Sequence, residues 1–600
     1  MEDKKIPKRS EVPVENTWRL EDIYATDDLW FEEYEELKKL PEKIISFSGR
    51  LSTASALLDF FKMDDEISTR LSKLYGYANC RSDEDTANSK YQDMLGKAMS
   101  VYVAIDSASA FSVPEILAIP DDDMEKMYVQ EPGLEEYRRP ISKIRHKKAH
   151  TLSAECERLL AMSGEMSQSP ESIGSVFRNA DLSFPDAVDG NGNAHQVTNG
   201  SFVPLLESND RILRKNAFEA YYGRMGEYKN TSAAILDAQF KQLKFYATAR
   251  SYNSTLEAAL DSTEVPVDVY HNLIDAVHSN MDKMYRYVAL RKKMLGVDEL
   301  HMYDVYTPLV ADAAAEIPFE KAKETALEAL SVLGEDYTEI LKEGFNNRWI
   351  DVYENEGKRS GAYSTGSAAP HPFVLMNYKS NLDSQFTLVH EMGHSLHSYF
   401  SHQNQPTCTS NYVIFVAEVA STCNEILLMR HLLKTTTDKK QRAYLINHFL
   451  DSFKGTVYRQ TMFAEFELMM GKMCEEGQTL TADALCEKYK ALNELYFGPD
   501  MISDDGISLE WSRIPHFFYD YYVFQYSTGF CAAVAIANRI LEEGEPAVAD
   551  YKKFLSSGGS SDPISLLKIA GVDMSTPDPV NSGLKLFGEL VDEMEALFNE

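Results

Sequence analysis

Basic residues are scarce in this 600-residue chain. Sixty Lys and Arg stand against 93 Asp and Glu, a formal net charge of −33. So acidic a chain is a poor nucleic-acid partner, because that binding rests on neutralising phosphates. The charge suits a solvated surface, and inside a cleft it would mildly attract cationic peptides. Cysteine is also scarce: seven residues, odd in number and widely spaced. That excludes a disulfide framework or a CxxC metal site and points to a cytoplasmic protein. No run of eighteen apolar residues occurs, so no transmembrane helix is expected. Met1 to Pro7 is polar and lacks an apolar h-region, so no secretory signal is expected. No repeat of 20–50 residues is present. What the chain does have is 44% hydrophobic and 11% aromatic residues, a globular composition. Its length exceeds one simple core, so two or more lobes are expected.

Most of the sequence has helical periodicity. Ser52–Glu66, Ser208–Glu227, Pro266–Leu295 and Pro318–Leu341 all carry apolar residues at three- and four-residue spacing. Two regions differ. Phe184 to Phe202 holds the turn cluster Asp189-Gly190-Asn191-Gly192-Asn193 between short extended runs, which predicts a small hairpin. Arg348 to Tyr378 is poor in helix signals, and its Pro372–Asn377 stretch predicts a strand. The expected fold is mostly α, with a small β-sheet. A working boundary near residue 200 separates a mostly helical N-terminal region, 1–200, from a catalytic region, 201–600.

The chemistry is concentrated in His390-Glu391-Met392-Gly393-His394. The residues before it, Phe386 to Val389, carry helical periodicity. Positions i and i+4 share a helix face, so the two imidazoles can converge on one metal ion. Glu391 lies at the edge of that face, where it can take a proton from a water at the metal. Zinc suits two imidazoles and one carboxylate, and a catalytic site leaves the fourth position to water.

The helix should break in Ser401 to Pro406, since proline cannot extend it. A second apolar-periodic segment runs from about Val413 to Leu433, and two helices so joined should pack antiparallel. His394 lies roughly 9 Å before the connection and Glu418 roughly 9 Å beyond it, so they arrive level. Glu418 is therefore the expected third ligand. Glu425, roughly 10 Å deeper on the same face, is expected to accept the spare imidazole N–H of His390. His397 lies too far along the axis from His390 to share one ion. It and His402 are expected to be packing or surface residues. Cys423 is expected to be a buried structural thiol.

The zinc-helix segment resembles the thimet-oligopeptidase-like family of zinc peptidases, and within it the bacterial oligoendopeptidase F branch. The resemblance extends beyond the zinc motif. It includes Glu11-Val12-Pro13 and Trp18 through Tyr24, and Gly361-Ala362-Tyr363-Ser364. It includes Ala417 through Ser421, Asn424-Glu425, Ile514 through Tyr519 and Gln525 through Gly529. Ser557 through Ser560 and Ala570 through Met574 complete it. These segments span essentially the whole chain in order.

The resemblance implies a two-lobed helical zincin-type peptidase whose lobes wall a deep substrate channel and need not follow the linear cut. It implies that a histidine followed by tyrosines hydrogen-bonds the substrate carbonyl. His516, Tyr522 and Tyr526 match by position, with Tyr519 in reserve, although the spacing after His516 is shifted relative to the thimet branch. The expected activity is hydrolysis of internal bonds in short unstructured peptides, with one Zn²⁺ per chain. Manganese or cobalt in its place stays open. The strand before the zinc helix can bind an extended peptide through its backbone. Gly361 to Gly366 reads either as a flap near that edge, with Gly361 and Tyr363 as substrate contacts, or as an ordinary loop. A zinc exopeptidase and a non-catalytic peptide carrier stay open as alternatives. Glu391 argues against the carrier, since a structural metal needs no general base. The sequence leaves the oligomeric state undetermined, and a monomer is compatible with it.

Overall fold

The computed structural model describes residues 6–310, 316–366 and 369–599. Residues 1–5, which carry most of the N-terminal segment discussed above, lie outside that range. The fold is mostly α-helical. Contacts divide the chain into two compact units, each assembled from three segments. The first comprises Met1–Ala149, Ala314–His431 and Ile536–Val572; the second comprises His150–Ala313, Leu432–Ala535 and Asp573–Glu600. Residue 200 falls inside the first segment of the second unit, so the compact units interleave along the sequence.

The expected helices are present, with informative breaks. The periodicity from Ser52 continues into one long helix, Ala54–Glu84. Pro266–Leu295 is two helices, Val267–His278 and Met281–Leu295. The stretch from Pro318 is also divided, into Phe319–Leu330 and Glu335–Asn346. Gly334 stands before the latter at φ 94°, a backbone region that suits glycine alone. The hairpin forms as expected, Ala187–Val188 pairing antiparallel with Ala194–His195.

In the first unit, one core runs from Trp18, Leu20 and Trp30 through Leu57, Leu74 and Tyr77 to Phe373 and Leu375. Trp18 donates its Nε1–H to Glu84 at 2.7 Å, and Arg9 joins Glu84 and the fully buried Asp351. The N-terminal residues are thereby fastened to the strand Ile350–Asp351. That strand is one edge of a three-stranded sheet. It runs parallel to the central strand Phe373–Leu375. The other edge is Tyr363–Thr365, antiparallel to the centre, with Tyr363 opposite Leu375 and Thr365 opposite Phe373.

One stretch among the described residues, 89–118, is apolar and long enough to cross a membrane by length and composition alone. It consists of two helices, Ser89–Ser109 and Ser112–Ala118. Met94, Ala98, Val101, Ile105 and Ile116 from them enter the core of the first unit. The second unit has a core rich in tyrosine, with Tyr270, Tyr287, Tyr458, Tyr489 and Tyr496 buried beside Trp511 and Phe587.

Candidate active site

The His390 helix spans Leu382–Asn404, and Asn381 caps its start by accepting from the Ser384 N–H at 2.9 Å. The next long helix spans Ile414–Thr435. Gly393 sets how closely the two approach: a Cβ there would lie 2.6 Å from Ser421 Cα and 2.9 Å from the Ala420 carbonyl oxygen. Only glycine permits this contact. Asn424 ties the same pair, donating to the Val389 carbonyl at 3.1 Å and accepting from Tyr337 at 3.0 Å. Asn424 is fully buried, so both of its polar ends need these partners. Asn424 lies in a segment that carries the resemblance, but no motif pointed to this tie or to Tyr337.

This packing brings His390, His394 and Glu418 together, with one ligand atom from each inside a 4.8 Å cluster. Glu418 Oε2 lies 3.4 Å from His390 Nε2 and 3.5 Å from His394 Nε2. His390 Nδ1 meets Glu425 Oε1 at 2.6 Å, as the helix register required. The Nδ1–H is thus committed to Glu425 and Nε2 points into the cluster, the second-partner pattern of a metal-binding histidine. Burial opposes ionisation of Glu418, but the two imidazoles outweigh it and hold the carboxyl well below its ordinary range. Three carboxylates around two imidazoles, with open ring nitrogens and a free carboxylate edge, suit a dication.

Glu391 is buried beside this cluster, 6% exposed, and its Oε2 has no hydrogen-bond partner among the described residues. Burial pushes its carboxyl up; His390 and His394 pull it back. A carboxylate poised this way accepts a proton more readily than an exposed one.

The flanking histidines are structural. His397 is buried and stacks on Tyr412 at 3.6 Å, and burial pushes its imidazole down to about 3. His402 Nδ1 bonds the Ser398 carbonyl on its own helix. Cys423 is fully buried, and burial pushes its thiol up to about 12.

The segment from Gly361 is an edge strand fastened to the His390 helix. Ser364 and Ser395 share a 2.8 Å hydroxyl contact. Asn377 donates to the Gly361 carbonyl at 2.8 Å. The Tyr363 hydroxyl is engaged by Asp83 at 2.7 Å and its ring packs on Trp18. Its side chain therefore serves the core of the first unit, while the strand backbone keeps an unpaired edge in this sheet.

His516, Tyr519, Tyr522 and Tyr526 belong to the second unit, where the fold gathers them into one ring cluster. His516 meets Tyr519 edge-on at 5.6 Å and Tyr526 at 6.0 Å, and Tyr522 meets Tyr526 at 5.3 Å. Burial lowers the His516 imidazole, favouring its neutral form. A turn through Asp520 and Tyr521 joins these rings, and both residues have positive φ, 53° and 60°. That conformation is costly for side chains other than glycine.

The turn is held from below. The Tyr521 N–H donates to the buried Glu467 at 3.2 Å, and its hydroxyl meets Thr255 at 2.7 Å. Asp520 accepts from Gln239 at 3.1 Å. Gly471, one helical turn after Glu467, leaves the space the Tyr521 hydroxyl occupies: a Cβ there would stand 1.8 Å from it. The sequence offered no signal for this slot.

The description Peptidase family M3 matches residues 204–586, and Oligopeptidase F matches 115–184. This chain belongs to peptidase family M3. It is accordingly a metallopeptidase acting on oligopeptides. It is 48% identical over 593 residues to Oligopeptidase PepF of Bacillus subtilis strain 168, covering 99% of this chain and 88% of that one. It is 39% identical to the plasmid Oligoendopeptidase F of Lactococcus lactis subsp. cremoris, covering 98% of each chain. The crystal structure of oligoendopeptidase-F from Enterococcus faecium matches with a TM-score of 0.74 at 39% identity, covering 96% of this chain and 99% of that one.

Proposed function

We propose that this M3 peptidase is a zinc-dependent endopeptidase that cuts internal bonds of short, unstructured oligopeptides. The supporting observation is the convergence of His390, His394 and Glu418 beside a buried Glu391 oxygen that lacks a partner. Those three residues would hold Zn²⁺, which when bound supplies a Lewis acid that activates water and polarises a carbonyl. Glu425 orients His390 through its Nδ1–H. Glu391 takes the proton from the attacking water and passes it to the leaving amine. His516, with Tyr522 or Tyr526, donates hydrogen bonds to the carbonyl oxygen as it gains charge, a role worth about 2.7–4 kcal/mol per donor in comparable sites. The free edge of Tyr363–Thr365 binds substrate backbone, which accommodates many sequences.

The test is hydrolysis of a quenched fluorescent peptide blocked at both ends, with metal content measured for wild type and Glu391→Gln. The expected result is internal cleavage by wild type, and roughly 10²- to 10⁴-fold slower cleavage by a variant that keeps its zinc. If the wild type leaves every blocked peptide intact while trimming free ends, an exopeptidase replaces this reading.

A further inference from the structure

We propose that Arg178, in the second unit, is a subsite for a carboxylate of the peptide substrate: its C-terminal carboxylate, or an acidic side chain near that end. The inference rests on the oligopeptide reading above but concerns a residue that reading does not use.

Arg178 belongs to a π-helical turn, Phe177–Asp181, that follows the helix Ser169–Val176. Such turns widen the helix and recur at functional sites. Its guanidinium lies over the Phe518 ring, 5.1 Å from the centroid. Gly174 makes the seat, because a Cβ there would stand 3.0 Å from Arg178 Nη1 and 3.3 Å from Phe518 Cζ. The guanidinium is thus held over an aromatic face, and a guanidinium so placed can still offer its N–H groups as a fork for a carboxylate.

Its charge is not spent inside the protein. In this acidic chain, other arginines close on carboxylates: Arg9 on Asp351, Arg214 on Asp304, Arg459 and Arg513 on Glu510. Among the described residues, no carboxylate comes within 4.0 Å of Arg178, and Glu171 and Tyr519 act on it only through longer-range attraction. Burial lowers its affinity for the proton. A partly desolvated cation without a counter-ion is costly, and an arriving anion relieves that cost.

The position fits substrate recognition. Phe518 ends the 3₁₀ turn Pro515–Phe518 that also carries His516. Tyr519, 44% exposed, touches the His516 ring. The turn that carries the His516 imidazole therefore also supplies the ring on which the Arg178 guanidinium lies. A carboxylate held there would set the register of a short peptide from its C-terminal end.

The experiment compares three peptides of one sequence: free C-terminal acid, C-terminal amide, and an amide with glutamate as its last residue. The enzymes are wild type, Arg178→Gln and Arg178→Lys. In wild type, kcat/KM should favour a carboxylate-bearing peptide over the plain amide by about tenfold or more, as charge-assisted hydrogen bonds do. That ratio should fall to near one in Arg178→Gln through KM, with Arg178→Lys retaining part of it. The cut position, counted from the C-terminus, should be fixed in wild type and spread in Arg178→Gln. Preference for the free acid alone identifies the chain terminus as the ligand; equal preference for the glutamate amide identifies any nearby carboxylate. A wild-type ratio of one, or a ratio unchanged in Arg178→Gln, overturns the proposal. Peptides acetylated at the N-terminus and amidated at the C-terminus report the endopeptidase reading separately, so the two can fail independently.

Discussion

His390 and Glu425 share a 2.6 Å contact from Nδ1 to Oε1, which fixes which imidazole nitrogen faces Glu418. Removing Glu425 frees the ring to rotate and to exchange tautomers. Glu425→Ala is expected to weaken zinc binding roughly 10- to 100-fold, measured by competition with a zinc-binding dye. Unchanged affinity would mean that packing alone orients the ring.

Gly393 is the second point at which the cluster can be broken without touching a donor. A methyl group there meets backbone atoms of Ser421 and Ala420, which cannot swing aside as a side-chain tip can. Gly393→Ala should cost about 1–3 kcal/mol of stability and part the His394 and Glu418 helices. Denaturant unfolding with and without zinc measures both effects. A variant as stable as wild type, with equal zinc affinity, would refute the close-packing account.

The slot beneath Tyr521 should govern turnover, not metal binding. Burial pushes Glu467 well above the carboxylate range, so Glu467→Gln, which keeps an acceptor for the Tyr521 N–H, should remain active. Gly471→Ala displaces the Tyr521 hydroxyl and shifts the turn bearing Tyr519 and Tyr522. Displacements of this kind cost on the order of 10²-fold in rate. We expect that loss in kcat with zinc content unchanged. A normal kcat in Gly471→Ala would show that the turn does not position the rings.

Acid stability should depend on Glu510. It is fully buried, accepts from Tyr489 at 2.6 Å and pairs with Arg459 at 2.6 Å and Arg513 at 2.8 Å. Burial opposes its ionisation, yet the two arginines and Tyr489 hold it at about 2 against an ordinary 4.5. A lowered native pKa stabilises the fold above the unfolded value, so the contribution is complete above about pH 4.5 and lost as pH falls toward 2. Its size is on the order of 3 kcal/mol. Stability measured from pH 6 to pH 2 should fall more steeply in wild type than in Glu510→Gln, whose baseline is lower throughout. Parallel pH profiles would contradict this assignment.

The donor cluster was legible in the sequence because it is made by local rules. His390 and His394 share a face through helix periodicity, and Pro406 dictates a break. Equal rise on either side of that break brings Glu418 level with His394 and sets Glu425 against His390. The hairpin at Asp189–Asn193 follows from turn chemistry, and the strand at Phe373 from a short run in a region poor in helix signals.

What only the tertiary structure decided are contacts between segments distant along the chain, which no period or spacing encodes. The flap reading makes Tyr363 a substrate contact, but only the fold turns its hydroxyl toward Asp83. The seat of Arg178 on Phe518, the Tyr521 slot made by Glu467, Gly471 and Thr255, and the Asn424 tie between helices are of this kind. So is the interleaving of two compact units from six segments. Each depends on which surfaces meet when the helices pack, a choice made by the shapes and buried polar groups of many residues together.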